Sequence, residues 1–295
     1  MRAAEQGFLL LTSHLGDPDS KPLTVAQFRK LTALVRGMER PMEQRELCCE
    51  DLIGLGYDRE RANHILLLLN RQELLEYYVN QGAKRNCYPI TRIGSEYPVI
   101  LRNRLEMDAP ACLWAMGDST ILNRPAIALV GSRDLQPENR KFAEQAGRQA
   151  ALQGYVLISG NARGADKTAQ DSCLEAGGQV ISIVADELSK CKPEPNILYL
   201  SEDGFNLSFS RIRALSRNRL IHCMGLLTLV AQCSLEHGGT WDGSIRNLQN
   251  GWSPLFCFCD GSSGTQKLCQ MGACGITEPE LRDFSALSAD QMKMF

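Results

Sequence analysis

The chain has 295 residues, of which 44% are hydrophobic and 22% are charged, and its formal net charge is −2. This much apolar material is enough for one sizeable core and a smaller second domain. The near balance of 32 basic and 34 acidic side chains excludes a uniformly basic surface, so any surface that binds a polyanion has to be local.

The sequence shows neither a membrane span nor an export signal. No apolar run approaches the roughly 20 residues that cross a bilayer, and the N-terminus lacks a basic stretch followed by an unbroken apolar core. We therefore expect a cytoplasmic globular protein with no membrane partner. In that compartment, the 12 cysteines are expected to be reduced thiols.

The N-terminal region has a helical period. Apolar residues recur every three and four positions over residues 25–81, which predicts an all-helical domain spanning residues 1–85. Within it, Leu52 to Gly56 followed by Ala62 loosely resembles a helix-hairpin-helix, in which a glycine turn grips a nucleic-acid backbone. The interval from Gly56 to Ala62 is longer than that motif has, which favours an ordinary helix-helix turn. Residues 86–123 carry two Tyr-Pro pairs and predict a connecting segment.

From residue 126 onward, short apolar runs alternate with helical ones. This alternation predicts an α/β domain over residues 124–280, with a mostly parallel, Rossmann-like sheet flanked by helices, and a C-terminal tail over residues 281–295. In such sheets, ligands bind at the carboxyl ends of the strands. The predicted strands are residues 126–130, 155–158, 180–184, 197–200, 226–230 and 255–259.

The turn after the second of these strands, residues 159–166, reads Ser-Gly-Asn-Ala-Arg-Gly-Ala-Asp. Small residues allow the backbone to approach a ligand closely, and a helix N-terminus presents unpaired N–H groups with a partial positive charge. Arg163 adds a planar fork of donors that suits phosphate. The turn therefore predicts a phosphate-bearing partner.

Two other strand exits reach the same edge of the predicted sheet. The sequence Gly131-Ser132-Arg133 follows the first strand, and the strand at residues 226–230 leads toward Gly239 and Thr240. Glycine is common after a strand, and an arginine there can be paired structurally. Two glycine-rich, arginine-bearing exits from adjacent strands nevertheless favour an anionic ligand.

Positive charge is concentrated in one segment of the chain. No acidic residue lies between Asp203 and Glu236, although four arginines fall close together there: Arg211, Arg213, Arg217 and Arg219. The segment is either a phosphate-binding surface or a solvated helix face whose arginines cap carbonyl groups.

Four cysteines near the C-terminus form the densest thiol cluster: Cys257, Cys259, Cys269 and Cys274. Soft sulfur ligands suit zinc, but the two-residue spacing usual in zinc ribbons is absent. Cys257 and Cys259 fall in an apolar strand, where cysteine is a common small core residue. Core packing is the favoured interpretation, and we expect no metal.

Signatures of several enzyme classes are absent. The first strand is not followed by Gly-x-Gly-x-x-Gly, and there is no Walker lysine spacing or acidic metal pair. The four histidines belong to no visible arrangement of nucleophile, base and acid. We therefore expect no cofactor, no catalytic residues and no enzymatic activity.

Five motifs occur in an order and spacing that resemble the DNA-processing protein A (DprA/Smf) family. The resemblance spans residues 126–277 and implies a Rossmann-like domain that binds single-stranded DNA, forms a homodimer and loads the RecA recombinase during natural transformation and recombination. The motifs are Gly131-Ser132-Arg133, the turn at residues 159–166, Gly177-Gly178, Arg217-Asn218-Arg219-Leu220-Ile221, and Gly264-Thr265 leading to Gly272-Ala273.

The resemblance also implies roles for individual residues. Arg133 would contact a backbone phosphate, and Arg163 with the Gly160 and Gly164 amides would form an anion nest. Arg217 and Arg219 lie about 200° apart on a helix, so one is expected to face DNA and the other a carboxylate such as Asp166. The predicted nucleic-acid site comprises Gly131, Ser132, Arg133, Ser159, Gly160, Arg163, Gly164, Asp166, Arg217, Asn218, Arg219, Gly239 and Thr240.

The sequence departs from the family pattern at three places. Ala165 replaces a larger aliphatic residue, Gln170 replaces a frequent histidine, and Ala185-Asp186-Glu187 replaces a glycine-rich turn. Two alternative functions stay open. The first is a sensor that binds a small nucleotide. The second is a phosphoribohydrolase similar to the lysine-decarboxylase-like (LOG) group, because Gly238-Gly239-Thr240 faintly resembles the glycine loop of that group.

Overall fold

The computed structural model describes residues 1–38 and 46–287. Its N-terminal region is helical, as the period of apolar residues predicts. Thr24 and Asp58 begin two of the helices by accepting hydrogen bonds from the backbone N–H groups of Gln27 and Arg61. The helices in the described part of this region are α1 (Ala3–Thr12), α2 (Val25–Arg36), α3 (Cys49–Gly54), α4 (Arg59–Leu69) and α5 (Gln72–Ala83).

The turn between α3 and α4 belongs to the core of this helical region. Gly56 adopts φ +90°, and Leu52, Ala62 and Ile65 on either side of it are buried in one apolar cluster. The residues that loosely resemble a helix-hairpin-helix therefore pack two helices together, which agrees with the ordinary helix-helix turn favoured from the sequence.

Nine strands of the described chain form one mostly parallel sheet, in agreement with the predicted fold class. Their order is β1-β2-β6-β5-β4-β3-β7-β8-β9, and only β2 runs antiparallel to its neighbours. The strands are β1 (Tyr88–Thr91), β2 (Cys112–Met116), β3 (Ala126–Val130), β4 (Val156–Ser159), β5 (Val180–Ile183), β6 (Ile197–Glu202), β7 (Thr228–Val230), β8 (Leu255–Phe258) and β9 (Cys274–Ile276).

Helices cover both faces of the sheet. Alternate residues of β3 enter different cores: Ile127 packs in the cluster that contains Phe142, and Ala128 in the cluster that contains Leu220. The helices of this region are α6 (Val99–Leu105), α7 (Pro137–Leu152), α8 (Ala165–Glu175), α9 (Arg211–Met224), α10 (Gly238–Asn250) and α11 (Ser263–Gln270). Helices α7 and α8 lie on the first face, and α6, α9 and α11 lie on the second.

The segment predicted to connect the two regions, residues 86–123, instead supplies two strands of the sheet. Strands β1 and β2 pair with each other, with Ile90 opposite Leu113, and β2 also pairs with β6. Strand β1 contains a Tyr-Pro pair, which interrupts an apolar run. Strand β2 is a buried run of five apolar residues, as long as β3, so its signal was present in the sequence.

An aromatic cluster joins the helical region to the sheet. Tyr78 of α5 lies 5.1 Å from Trp114 of β2 and 4.8 Å from Phe205, which follows β6, measured between ring centroids. Trp114 and Phe205 are 4.9 Å apart. All three side chains are buried, so they form a continuous apolar contact between the two regions.

Of the predicted C-terminal tail, residues 288–295 lie outside the described residues. The described part is packed against the sheet region, and Leu281 and Phe284 are fully buried. Gln153 at the end of α7 donates a hydrogen bond to the Leu281 carbonyl and accepts one from the Phe284 amide. Residues 281–287 therefore extend the core of the sheet region rather than leaving it.

Candidate nucleic-acid interface

The segments that follow β3 and β4 pack closely against each other at the carboxyl edge of the sheet. Gly164 adopts φ +87°, and a Cβ atom there would overlap the carbonyl oxygens of Ser132 and Arg133. The Ala165 amide donates a hydrogen bond of 3.1 Å to the Ser132 carbonyl. Gly164 is therefore required for the contact between two segments of this chain.

The turn at residues 159–166 already holds an anion, which is the side chain of Asp166. This buried carboxylate accepts hydrogen bonds from the backbone amides of Ala162, at 3.2 Å, and Gly160. Burial raises the pKa of Asp166, while Arg217 and these hydrogen bonds oppose that change. The anion nest predicted at Gly160 for an external phosphate is thus occupied from within the protein.

Arg217 locks this arrangement from the neighbouring helix α9. Its Nη1 lies 3.7 Å from Asp166 Oδ2 and donates a hydrogen bond to the Gly160 carbonyl. A Cβ atom on residue 160 would overlap the Arg217 guanidinium. Because only 12% of its side chain is exposed, Arg217 stabilises the turn and is not presented to a ligand.

Arg219 is paired as well, although one of these two arginines was predicted to face DNA. Its Nη2 lies 3.1 Å from Glu202 Oε1, at the end of β6. The Ser216 hydroxyl also donates to Glu202, and Arg213 donates to the Glu202 carbonyl. Arg217 and Arg219 point in different directions from α9. Arg217 therefore pairs beyond the end of β4, and Arg219 pairs at the end of β6.

Asn218 holds the loop that begins α10. Its Nδ2 donates a hydrogen bond of 2.9 Å to the Gly239 carbonyl, and a Cβ atom on residue 239 would lie 2.9 Å from the same nitrogen. Asn218 therefore has a partner within the protein, the loop that carries Gly239. Gly239 and Thr240 thus lie with α9 and not with the exits of β3 and β4.

Basic side chains instead converge beside α7 and α8, in a cleft of about 430 Å³. We call it the basic cleft. It is lined by Arg133, Asp134, Leu135, Arg140, Arg163, Gly164, Lys167, Thr168 and Asp171. Of the predicted site residues it contains Arg133, Arg163 and Gly164, and it adds two cations that sequence reasoning missed, Arg140 and Lys167.

The cations of the basic cleft are held weakly. Arg163 Nη2 lies 2.6 Å from Asp134 Oδ1, but both side chains are largely exposed, at 76% and 84%. Lys167 forms a similar surface pair with Asp171, at 2.8 Å. Exposed pairs of this kind contribute about 0–1 kcal/mol, so their cations can exchange a carboxylate for a phosphate.

Arg133 is exposed at the mouth of the cleft, directly after β3. In the described part of the chain, it has neither a hydrogen-bond nor an ion-pair partner. A guanidinium that no protein group satisfies keeps all five donors available to a ligand.

Comparison with known proteins identifies the family of this chain. Residues 89–281 match the family described as DNA recombination-mediator protein A. The chain belongs to this family. It is 27% identical over 222 residues to the DNA processing protein DprA of Bacillus subtilis (strain 168), and the match covers 70% of this chain and 72% of that protein.

Two solved DprA structures share the fold. DprA from Streptococcus pneumoniae has a TM-score of 0.69 and 22% identity, with 95% of this chain and 97% of that chain covered. DprA from Helicobacter pylori, described with a unique single-stranded DNA binding mode, has a TM-score of 0.56 and 22% identity, with 71% and 97% covered.

The departures from the DprA pattern have internal partners. Gln170 is buried and donates to the hydroxyls of Ser159 and Ser182, which ties β4 to β5. Ala165 is fully buried, and a Cβ atom on Gly131 would lie 2.5 Å from its own Cβ, so the small residues fit each other. Asp186 accepts a hydrogen bond from the Phe209 amide and pairs with Lys190.

In residues 1–38 and 46–287, no group of three or more His, Cys, Asp or Glu side chains is arranged to hold a metal ion. His222 is fully buried, and neither ring nitrogen has a hydrogen-bond partner among the described residues.

No described helix is both long and apolar enough to cross a membrane.

Proposed function

We propose that this chain is a recombination mediator that binds single-stranded DNA in the basic cleft and catalyses no reaction. The observation that carries the proposal is Arg133, which is exposed, has no ion-pair partner among the described residues and lines the same cleft as Arg163, Arg140 and Lys167. Several cations that line one cleft can contact successive phosphates of a flexible strand, as the binding of single strands without covalent chemistry requires.

The arrangement of the remaining site residues supports a scaffold role for them. Arg217, Asp166 and Gly160 fix the turn that carries Arg163, and the Gly164 contact fixes the backbone that carries Arg133. Two exposed arginines thus project from backbone segments that are locked together. A rigid base of this kind lowers the entropy lost when the arginines bind phosphate.

The resemblance to DprA extends the proposal to partners. We propose that the protein acts in the cytoplasm as a homodimer and loads RecA onto the bound strand during natural transformation and recombination. The support for these partners is membership of the family; the basic cleft supports the DNA-binding part alone.

A binding titration tests the DNA-binding part. Anisotropy of a labelled oligonucleotide, single-stranded or duplex, is measured with the full chain at two salt concentrations. We expect tighter binding of the single strand and a steep loss with salt. Arg133→Gln should weaken binding about tenfold and reduce the slope of log K against log salt by about 0.7, the value for one phosphate contact in a single strand.

Arg148→Gln is the matched control, because Arg148 is an exposed arginine of α7 that does not line the cleft. It should leave both affinity and salt slope unchanged. Equal losses from the two variants would show that binding depends on overall charge, and an unaltered affinity for Arg133→Gln would overturn the proposed site.

A further inference from the structure

A second cluster of cations lies where the helical region meets the loop after β1. It consists of Arg29 of α2, Arg92, which directly follows β1, and Arg102 of α6, and we call it the arginine seam. Arg102 Nη2 donates hydrogen bonds to the carbonyls of Arg92, at 2.9 Å, and Gly94, at 3.3 Å. Arg29 Nη1 lies 3.8 Å from the sulfur of Met107, just after α6. Contacts from α2 and α6 thus bring three arginines to one end of the sheet.

The charge of the arginine seam is not neutralised within the described chain. In residues 1–38 and 46–287, none of its three arginines forms an ion pair. Arg92 Nη1 and Arg102 Nε are buried and have no hydrogen-bond partner in these ranges. Burial lowers the pKa of Arg92, and so do the charges of Arg102 and Arg29, while Tyr97 opposes that change. An anion bound here would relieve the repulsion among the three cations.

One acidic side chain, Glu5 of α1, lies beside the loop after β1. Its Oε1 accepts a hydrogen bond of 3.2 Å from the Thr91 hydroxyl, and its Oε2 lies 3.4 Å from Arg2 Nε. Glu5 is therefore engaged by other groups, and the arginine seam keeps its positive charge.

The arginine seam and the basic cleft lie at the same edge of the sheet. Strand β1 runs parallel to β6, because both are antiparallel to β2, so Arg92 follows β1 at the carboxyl edge from which Arg133 and Arg163 project. Strand β1 is four strand positions from β4 and five from β3. At about 4.8 Å per strand, the two clusters are about 19–24 Å apart along this edge.

The edge between the two clusters offers little opposing charge. Glu202 at the end of β6 pairs with Arg219, at 3.1 Å, and Asp186 after β5 pairs with Lys190, at 3.3 Å. Arg211 at the start of α9 is exposed and adds a further cation. A flexible polyanion can therefore follow this edge from one cluster to the other.

Building on the proposed function, we propose that the arginine seam is a second phosphate-binding site for the same single strand that enters the basic cleft. Short oligonucleotides then occupy the basic cleft alone, whereas longer ones engage both clusters. Linking two sites on one strand raises affinity, because the second contact forms within an existing complex. The gain in affinity with strand length should therefore depend on the arginine seam.

Oligonucleotides of two lengths test this site. Anisotropy is measured with the full chain and labelled oligothymidylates of about 4 and about 16 nucleotides. Even at twice the stacked rise of about 3.4 Å, the phosphates of the shorter probe cover only about 14 Å and cannot span both clusters. Combining Arg29→Gln with Arg92→Gln should weaken binding of the longer probe about tenfold and reduce its salt slope by about 1.4, the value for two phosphate contacts. Binding of the shorter probe should be unchanged.

The matched control combines Arg148→Gln with Arg246→Gln, which removes the same charge from exposed helix positions outside both clusters. It should leave the affinity for both probes unchanged. Arg29→Gln alone, at an exposed position, should give a smaller loss with the longer probe, so the test does not depend on the folding of the Arg92 variant.

Arg133→Gln separates this site from the basic cleft, because it should weaken binding of both probes. If Arg133→Gln weakens both while the seam variants bind the longer probe normally, the second site is overturned and the basic cleft stands. A loss of equal size for both probes in the seam variants, or the same loss in the control, would also overturn the second site. Normal binding of both probes by Arg133→Gln would overturn the proposed cleft instead.

Discussion

The guanidinium of Arg217 lies 3.7 Å from the carboxylate of Asp166, and both side chains are largely withdrawn from solvent. The pair crosses from α9 to the first turn of α8, and it closes the turn from which Arg163 projects. A motif that resembles a phosphate cradle is therefore closed by a structural ion pair, and the phosphate contacts that we propose lie on the exposed arginines nearby.

Removing either partner of this pair should strongly destabilise the fold, because the other is left as an uncompensated buried charge. We expect Arg217→Met and Asp166→Asn each to lower the free energy of unfolding by about 3 kcal/mol. The double variant should lose less than the sum of the two. Urea unfolding of all four proteins measures the coupling, and strictly additive losses would contradict a direct pair.

Gly160→Ala should displace Arg217, because the added methyl group would occupy the space of its guanidinium. The expected loss is about 1–3 kcal/mol in the free energy of unfolding, as for an overpacked site. Gly7→Ala is the control: Gly7 lies within α1, and a Cβ atom there meets nothing within 4 Å. That variant should gain up to about 1 kcal/mol from helix propensity. Equal changes in the free energy of unfolding for Gly160→Ala and Gly7→Ala would contradict the close packing of Arg217 on Gly160.

Asp134→Asn should increase affinity for single-stranded DNA. It removes the carboxylate that pairs with Arg163 and one negative charge from the basic cleft, and we expect roughly a twofold to fivefold gain at low salt. Glu144→Gln removes the same charge from an exposed position on α7 outside the cleft. Anisotropy titrations compare the two, and a gain of the same size from Glu144→Gln would exclude a local effect.

His222 should make stability depend on pH. Burial lowers the pKa of His222 from 6.5 to about 3. Below pH 6.5, the imidazole therefore binds a proton in the unfolded chain but stays neutral in the folded chain. Stability is then fully present above pH 6.5 and falls by about 2 kcal/mol between pH 6.5 and pH 5.

The histidine contribution is the difference between wild type and His222→Leu in urea unfolding at several pH values. His222→Leu should flatten this part of the profile, and His237→Gln, at an exposed position, should leave it unchanged. An identical slope in wild type and His222→Leu would show that other groups carry the dependence.

The parallel strands could be predicted from the sequence because burial on both faces makes each of them a continuous apolar run. Leu129 and Val130 of β3, for example, enter opposite cores, and both have to be apolar. Strand β1 could not be found this way, since it lies at the edge of the sheet and contains Pro89. Because edge strands tolerate proline, the continuous apolar run that marks an inner strand is interrupted there.

The residues of the candidate site could be predicted only where they directly follow a strand, because the strand order then fixes their position. Arg133 and Arg163 follow strand ends, so their place at the carboxyl edge follows from topology. Arg140 and Lys167 sit on exposed helix positions, which carry no periodic signal. The partners of Arg217 and Arg219 depend on how α9 crosses the sheet, and local sequence does not specify that contact.

The contact between Tyr78, Trp114 and Phe205 makes the helical region and the sheet mutually dependent for burial of their largest side chains. Separating them would expose three aromatic rings to water at once. A chain built this way is expected to lose both regions in a single cooperative transition, so the helices serve as a permanent cover for one end of the sheet.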